Sequence, residues 1–255
     1  MKFGLGQSVP RHEDPRLLSG LGRYSDDINL PDQLYAHVVR SPFARANIRG
    51  IDSSAALAAP GVVAVYTGED IQAAGLGPMP CLVPKLRPQF RPDGSPMFMP
   101  PRYALAHRRV AFVGDAVAMV VARTKDQARD AAELVDVDYE ELPANVSTAG
   151  ALDADAVAAW EECPDNISYY LEMGDADAVK SALAGADHVV RFDLPITRVG
   201  INPMEPRAAV GDYDPREERY TLYTGTQMPH DNRMLIAEDI FGLPESQFRI
   251  VSPDM

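Results

Sequence analysis

Short apolar runs alternate with brief helical patterns through the first half of the chain, and this alternation most restricts the possible fold. Residues 33–40, 44–51 and 62–67 have the length and the β-branched content of strands. A brief helix is predicted over residues 53–59, between the second and the third of these strands. Strands that alternate with short helices indicate a mixed α/β layer rather than a β-sandwich.

The same rhythm returns after residue 109. The nearly all-apolar stretches 110–113 and 116–122 are predicted to form a buried hairpin or a bent strand, joined by a turn. An amphipathic helix is predicted over 125–134, with its alanines on one side. Residues 135–142 alternate apolar and acidic side chains, which predicts a strand with one buried face and one wet face.

A proline-dense segment separates these two parts. Eight prolines lie between residues 75 and 102. Proline lacks the backbone N–H that helices and central strands need, so this density predicts a long loop without regular helix or central strand. A loop of this length in a compact domain is usually functional or covered by a neighbour, and we expect a contact surface here. The alternative is a solvated excursion.

The remainder of the chain indicates a second unit. Residues 144–165 are rich in alanine and aspartate with weak periodicity, which predicts a surface linker. A second domain is expected from about residue 166, with a helix over 175–184 and a strand over 187–194. The residues before this linker, including a polar, turn-rich arm at 11–27, belong to the first unit.

Two later segments, 198–207 and 220–227, are predicted to be paired strands directed at a site. A helix follows from Pro229 to Phe241, and then a strand-like run over 248–255. This run is the last of the sequence, and a buried strand needs partners on both sides. We therefore expect that another segment or chain completes the site.

Polar residues lie at the ends of these two strands. Glu205 and Arg207 can form a local ion pair or hold an incoming chain. Gly225 lets a ligand or a backbone approach closely, and the amide of Gln227 can both donate and accept hydrogen bonds. On spacing alone, these residues predict a site only weakly.

Charge and composition exclude several classes of function. The chain has 37 acidic and 24 basic side chains and a formal net charge of −13, which disfavours nucleic acid as a partner. No apolar stretch approaches the roughly 20 residues that span a bilayer, and the start lacks a secretion signal, so a cytoplasmic protein is expected. The two cysteines, Cys81 and Cys163, are interpreted as ordinary thiols.

An independent hydrolase is disfavoured because the chain has no nucleophile elbow. His230 and Asp231 are adjacent on a predicted helix and therefore point in different directions. The five histidines have no metal-ligand spacing, so a protein-ligated metal is not predicted either.

Five stretches in a fixed order span nearly the whole first unit: residues 11–24, 39–42, 61–65, 113–118 and 135–143. Together with the segments 203–207 and 224–227, they resemble the molybdenum hydroxylases, the family of xanthine dehydrogenase, aldehyde oxidase and aerobic carbon monoxide dehydrogenase large subunits. The resemblance spans nearly the whole chain.

The resemblance implies an α/β (α+β) fold in four parts. Residues 1–19 would be an N-terminal arm, and residues 20–143 the family's a/b hammerhead domain. Residues 144–165 would be a linker, and residues 166–255 the incomplete start of a molybdopterin-binding domain.

The resemblance also implies roles for individual residues. Gly225, Thr226 and Gln227 match the family's cofactor-binding strand end, and Gln227 matches the glutamine whose amide contacts an oxygen ligand of the molybdenum. Its role toward the metal would thus be indirect. Glu205 matches a different glutamate from the one that activates the attacking water, so no catalytic residue is expected in this chain.

The implied cofactor is molybdenum-molybdopterin in its cytosine dinucleotide form, bound only in a complete assembly. Iron-sulfur and flavin groups would lie in partner subunits, because two cysteines hold no cluster. The implied partners are the remainder of the molybdopterin subunit, an iron-sulfur subunit, an FAD subunit and a small-molecule substrate. Family members continue past the equivalent of Met255 into a glycine-rich segment, so the chain alone is expected to be inactive.

A rival hypothesis is a non-catalytic α/β interaction module that docks partner subunits through the hammerhead and the proline-dense segment. Both hypotheses predict a partner, and they differ in whether the assembled complex contains molybdenum and pterin.

Overall fold

A computed structural model of the chain describes residues 6, 8–196, 200 and 202–254. Across these residues, nine strands form three sheets of three strands each. Short helices lie between the strands, which confirms the predicted mixed α/β fold. The strands are β1 (Tyr35–Arg40), β2 (Ala46–Asp52), β3 (Val62–Thr67), β4 (Arg109–Val110), β5 (Ala116–Ala122), β6 (Asp136–Glu141), β7 (Ala209–Asp214), β8 (Arg219–Thr224) and β9 (Phe248–Val251).

The helices are mostly one or two turns long. The described residues contain α1 (Asp14–Leu18), α2 (Ser54–Leu57), α3 (Gly68–Ala73), α4 (Leu82–Leu86), α5 (Lys125–Ala132), α6 (Ala176–Ala184) and α7 (Pro229–Met234). The last of them continues directly into a π-helical segment, Leu235–Phe241, which ends at Gly242 in the left-handed conformation. No described helix has the length and apolar character that a membrane span requires.

The first sheet has the order β1-β5-β3 and is antiparallel throughout. Its central strand is almost entirely apolar and is covered by α5, whose Ala131 and Ala132 contact Val120 of β5. Helix α5 begins where the Thr124 hydroxyl accepts a hydrogen bond from the amide of Gln127. The predicted amphipathic helix therefore packs its alanine face on this sheet.

The second sheet has the order β4-β2-β6. Its strands contribute a second group of buried apolar side chains. Ala46 of β2 and Val110 of β4 are fully buried beside Val117 of β5, and the rings of Phe43 and Tyr139 pack beside them with centroids 5.2 Å apart. Burial of these apolar side chains packs the two sheets against each other.

Residues 110–113 and 116–122 form neither the hairpin nor the bent strand that were the two predicted alternatives. Strand β4 pairs with β2, whereas β5 lies in the other sheet between β1 and β3. The turn between them bonds elsewhere: Gly114 donates to the Ser41 carbonyl, and Ser41 donates to the Asp115 carbonyl. Because the backbone groups at this turn find partners outside it, the chain crosses from one sheet to the other.

The proline-dense segment is not wholly irregular, since α4 occupies Leu82–Leu86 with Pro84 in its first turn. The segment also contacts later residues of the chain. Arg91 forms a salt bridge with Asp165. The Phe98 amide donates to the Ser168 carbonyl, and the Ser168 hydroxyl donates to the Phe98 carbonyl. The proline-dense segment therefore packs on residues 165–168 of the same chain.

The polar arm at 11–27 contains the short helix α1, with Pro15 in its first turn. The arm packs against the segment that follows β9. The Arg16 guanidinium and the Arg23 backbone form hydrogen bonds with Asp254, which lies more than 200 positions away in sequence. Residues 1–5 and 7 of the arm lie outside the described residues.

The last third of the chain differs from prediction at its start. Helix α6 forms as expected, with the Asp175 carboxylate accepting from the amide of Ala178. The strand predicted over 187–194 is wrong, because these residues pair with no strand in the described structure. No residue in the described part of the chain completes a ladder with their backbone.

The third sheet has the order β7-β8-β9, with β8 antiparallel to β7 and parallel to β9. Four aromatic side chains hold the π-helical segment against this sheet. Tyr220 stacks on Phe248 with centroids 4.9 Å apart, and Phe241 meets Phe248 edge to face at 5.0 Å. Tyr213 extends the cluster across the strand pair from β7 to Tyr220.

Candidate functional site

The candidate site lies at one edge of the third sheet, where three segments converge. Because β8 and β9 are parallel, their carboxyl ends, Thr224 and Val251, lie at the same edge. Strand β7 runs the other way, and its first residue, Ala209, is paired with Thr224. The segment that enters β7 and the segments that leave β8 and β9 therefore meet.

Residues 225–227 form a loop at this edge and are not strand, which corrects the prediction that the strand reaches Gln227. Strand β8 ends at Thr224 because the backbone of the next residues turns to other partners. The Thr226 amide donates to the Ser252 hydroxyl at 3.1 Å, and that hydroxyl donates to the Thr226 carbonyl at 3.2 Å. These two bonds clamp the loop against the segment that follows β9.

The Thr226 hydroxyl ties the same loop to helix α7. It accepts hydrogen bonds from the Asn232 side-chain amide at 2.6 Å and from the Met228 backbone amide at 3.2 Å. Pro229 lies in the first turn of α7 and fixes its start just after the loop. Hydrogen bonds to Thr226 therefore hold the chain just before Gln227, and helix α7 holds it just after.

Gln227 itself is exposed, as is Gly225. The carboxamide of Gln227 forms no hydrogen bond with any residue in the described part of the chain. An exposed carboxamide on an anchored loop can donate or accept a hydrogen bond without losing an existing partner. The structure therefore brings Gly225, Thr226 and Gln227 together on one loop, with Thr226 holding it and Gln227 available to a ligand.

Glu205 and Arg207 precede the same edge and do not form the local ion pair, which was one of the two alternatives for them. Strand β7 begins only at Ala209, so both residues precede it and are exposed. No salt bridge joins them within the described residues. Arg207 instead lines a cleft of about 810 Å³ between β1 and β7. Residues 198, 199 and 201 of the predicted strand lie outside the described residues.

Sequence reasoning missed Ser252 and Asn232, the two side chains that hold the loop. Ser252 follows β9 and lies 26 positions from Thr226 along the chain. Its role depends on β9 pairing parallel to β8, which periodicity alone does not reveal. Asn232 could have been suggested by its place in the first turn after Pro229, where short polar side chains bond nearby backbone and hydroxyl groups.

Outside this loop, the described residues offer no cluster of metal ligands, and both cysteines are free. The described part of the chain contains no group of three or more His, Cys, Asp or Glu side chains suited to a metal ion. Cys81 is an exposed free thiol, and Cys163 is a buried free thiol that donates to Asp165 and to the Ile167 carbonyl. Burial, with the hydrogen bond to Asp165, raises the pKa of the Cys163 thiol, which disfavours the nucleophilic thiolate.

The groups at the loop suit a cofactor that brings its own metal ligands rather than a metal bound directly by side chains. Gln227 offers a neutral amide donor, and Gly225 leaves the backbone accessible because it has no side chain. Neutral donors orient such a group without replacing its own ligands. The residues present therefore fit a molybdenum-pterin group that carries its own metal ligands.

Two family models match most of the chain. Residues 19–143 match the model described as "Aldehyde oxidase and xanthine dehydrogenase, a/b hammerhead domain". Residues 159–255, which include the loop at 225–227, match the "Molybdopterin cofactor-binding domain".

Curated relatives agree with these matches. The nicotine 6-hydroxylase large subunit of Paenarthrobacter nicotinovorans is 38% identical over 98% of this chain, and the carbon monoxide dehydrogenase large chain of Afipia carboxidovorans is 33% identical over 99% of it. The chain spans 29% and 31% of the lengths of these two proteins.

A solved structure, the quinoline 2-oxidoreductase of Pseudomonas putida 86, superimposes with a TM-score of 0.81 at 34% identity. It covers 98% of this chain, and the chain covers 30% of it. The anchored loop thus lies within a matched cofactor-binding domain. The chain belongs to the molybdenum hydroxylase family of xanthine dehydrogenase, aldehyde oxidase and carbon monoxide dehydrogenase, and it corresponds to the N-terminal part of the family's large subunits.

Proposed function

We propose that this chain contributes one wall of the molybdenum site in a molybdopterin-dependent oxidoreductase and is inactive without the rest of that site. The observation that carries the proposal is the loop at 225–227, where Thr226 is bonded on two sides and the Gln227 carboxamide is exposed and unbonded among described residues. An anchored donor of this kind is suited to orienting a bound group.

Each residue of the loop has a distinct role in this proposal. Gln227 would donate a hydrogen bond from its side-chain amide to an acceptor on the molybdenum cofactor. Thr226 would hold Gln227 in place through Ser252 and Asn232, and Gly225 would let the cofactor approach the backbone. When bound, the cofactor would supply two-electron oxidation of a small molecule with an oxygen atom from water.

The proposal extends to the assembly. The rest of the molybdopterin-binding polypeptide would provide the water-activating glutamate and most pterin contacts, with the pterin in its cytosine dinucleotide form. Electrons would leave through separate iron-sulfur and FAD subunits. The relatives support this proposal, because the chain matches only 29–31% of the length of the nicotine hydroxylase and carbon monoxide dehydrogenase subunits.

The test is a metal and cofactor assay of the assembled complex. The chain is purified together with the polypeptide encoded directly downstream of codon 255, and molybdenum and pterin are quantified per complex. We expect both at about one equivalent, with the nucleotide identified after release. A stoichiometric complex that lacks both would refute the proposal and favour a non-catalytic interaction module.

A further inference from the structure

One carboxylate, that of Asp254, joins the N-terminal arm to the segment that follows β9. Both terminal nitrogens of the Arg16 guanidinium donate to it, and so does the Arg23 backbone amide, at 2.7 Å. The Asp254 amide in turn donates to the Arg23 carbonyl at 3.1 Å. A two-pronged arginine-carboxylate pair with backbone bonds beside it fixes orientation as well as distance. The arm therefore holds residues 252–254 in one orientation.

The arm itself orients the guanidinium of Arg16. The Leu21 amide donates to the Arg16 carbonyl at 3.0 Å, and the Leu21 carbonyl accepts from the Arg16 guanidinium at 3.3 Å. The turn at Gly22 is closely packed, because a Cβ there would lie 3.1 Å from the side chain of Leu17 and 3.1 Å from that of Tyr24. A group that is already oriented loses less conformational entropy when it binds a carboxylate.

A short, stiff connection links this carboxylate to the candidate site. Pro253 lies between Asp254 and Ser252, and its ring fixes one backbone torsion of the connection. The Ser252 hydroxyl accepts from the Thr226 amide at 3.1 Å and donates to the Thr226 carbonyl at 3.2 Å. Because Gln227 directly follows Thr226, a displacement of residues 252–254 would shift the backbone that carries the Gln227 carboxamide.

We propose that Arg16 is a positioning residue for Gln227: through Asp254 it keeps Ser252 against Thr226, so that the Gln227 carboxamide has a defined direction. The inference rests on the proposed function for the role of Gln227. It extends the candidate site to the N-terminal arm, since Arg16 lies 238 positions before Asp254 in sequence.

The first test measures amide hydrogen exchange on the full chain, residue by residue, in Arg16→Gln. The matched control is Arg11→Gln, because Arg11 lies in the same arm but pairs locally with Asp14 at 2.9 Å. We expect the Thr226 amide to exchange at least ~10-fold faster in Arg16→Gln, because the loop opens more often once residues 252–254 are released. In Arg11→Gln its exchange should equal that of the parent chain.

The amide of Val120 distinguishes positioning from a general loss of stability. Val120 is fully buried in the central strand β5, and its exchange should be the same in Arg16→Gln as in the parent chain. Equal acceleration of the Thr226 and Val120 amides would overturn the inference. Arg16→Lys keeps the charge but loses the two-pronged contact, so it should accelerate Thr226 exchange to an intermediate degree. This milder variant decides the question if Arg16→Gln does not fold.

The second test measures steady-state kinetics of the assembled enzyme. Arg16→Gln should lower kcat about 3–10-fold at unchanged molybdenum content, which is less than the loss expected for a residue that contacts the cofactor's own ligands. KM should stay within about twofold, because Gln227 is proposed to contact the cofactor and not the substrate. In a Gln227→Ala enzyme the same change should have no further effect on kcat, since both residues act through one carboxamide. Losses that add would overturn the inference.

The two tests separate this inference from the proposed function. Faster exchange of the Thr226 amide, together with an assembled complex that lacks molybdenum, would contradict the proposed function and leave Arg16 as an anchor of the loop. Molybdenum at about one equivalent, together with unchanged exchange of the Thr226 amide, would contradict only the positioning role of Arg16.

Discussion

The guanidinium of Arg16 donates hydrogen bonds from both terminal nitrogens to the two carboxylate oxygens of Asp254, each at 2.5 Å. Asp254 also accepts from the Arg23 amide and donates its own amide to the Arg23 carbonyl. These contacts bind the N-terminal arm to the segment that follows β9. Ser252 belongs to the same segment, so the arm helps to hold the partner of Thr226.

The first prediction concerns the pH dependence of this contact. The hydrogen bond from the Arg16 side chain and that from the Arg23 amide hold the pKa of Asp254 well below its ordinary value of 3.8. A depressed carboxyl pKa stabilises the fold in full above the ordinary value, and the contribution is lost as the pH falls below it.

Asp254→Asn should therefore lower the thermal midpoint at pH 6, and the difference from the parent chain should shrink as the pH is lowered through 3.8 and beyond. Thermal denaturation between pH 6 and about pH 2.5 measures this difference. Asp155→Asn, at an exposed carboxylate with no ion pair among the described residues, is the control. A difference that stays constant with pH would contradict the assignment.

The second prediction concerns Gln227 in an assembled enzyme. Gln227→Ala should reduce turnover by about 10–100-fold, because a residue that orients a metal group through its own ligands typically contributes this much. Gln227→Glu should not restore activity, since a carboxylate accepts hydrogen bonds where the amide donates.

The control for Gln227 is Gln72→Ala, at another exposed glutamine on helix α3. Steady-state kinetics should be combined with molybdenum quantification, so that loss of cofactor is distinguished from slower chemistry. Unchanged turnover in a fully loaded Gln227→Ala enzyme would remove the proposed role.

The third prediction concerns the anchor of the loop. Thr226→Val keeps the shape of the side chain but removes the hydroxyl that accepts from Asn232 and Met228. The free energy of unfolding should fall by about 1–2 kcal/mol, because the partly buried Asn232 amide loses its acceptor. Thr221→Val in the neighbouring β8 is the matched control, and urea denaturation measures both. Equal effects of the two variants would mean that the hydroxyl does not anchor the loop.

The fourth prediction concerns the contact between the proline-dense segment and the π-helical segment. The Gly77 amide donates to the Ile240 carbonyl at 2.7 Å, and a Cβ at Gly77 would lie 2.1 Å from the Asp239 carbonyl oxygen. Gly77→Ala should therefore lower the free energy of unfolding by about 1–3 kcal/mol through overpacking.

Gly50→Ala is the control for Gly77, because a Cβ at Gly50 meets no atom within 4 Å. The two variants are compared by urea denaturation. A Gly77→Ala chain as stable as the Gly50→Ala chain would show that the proline-dense segment can separate from the π-helical segment without penalty.

The sequence alone predicted the elements whose periodicity is strong. Strands β1, β3, β5 and β6 and helix α5 lie where the apolar patterns indicated them, because each pattern matches the repeat of its own backbone geometry. The strand over 187–194 failed although its pattern is equally clear. A strand pattern is realised only when another strand completes the ladder, and none of the described residues does so.

The candidate site was predicted in part. Gly225, Thr226 and Gln227 were located by resemblance, since their order along the chain is a local property. Their geometry was not, because the strand stops at Thr224 and the loop is held by Ser252, 26 positions from Thr226. The sequence by itself determined the strongly periodic strands, helix α5 and the family that the chain resembles. Only the tertiary structure decided that the turn at Gly114 crosses between sheets and that parallel β8 and β9 bring Thr226 beside Ser252, because both depend on hydrogen bonds between residues distant in sequence.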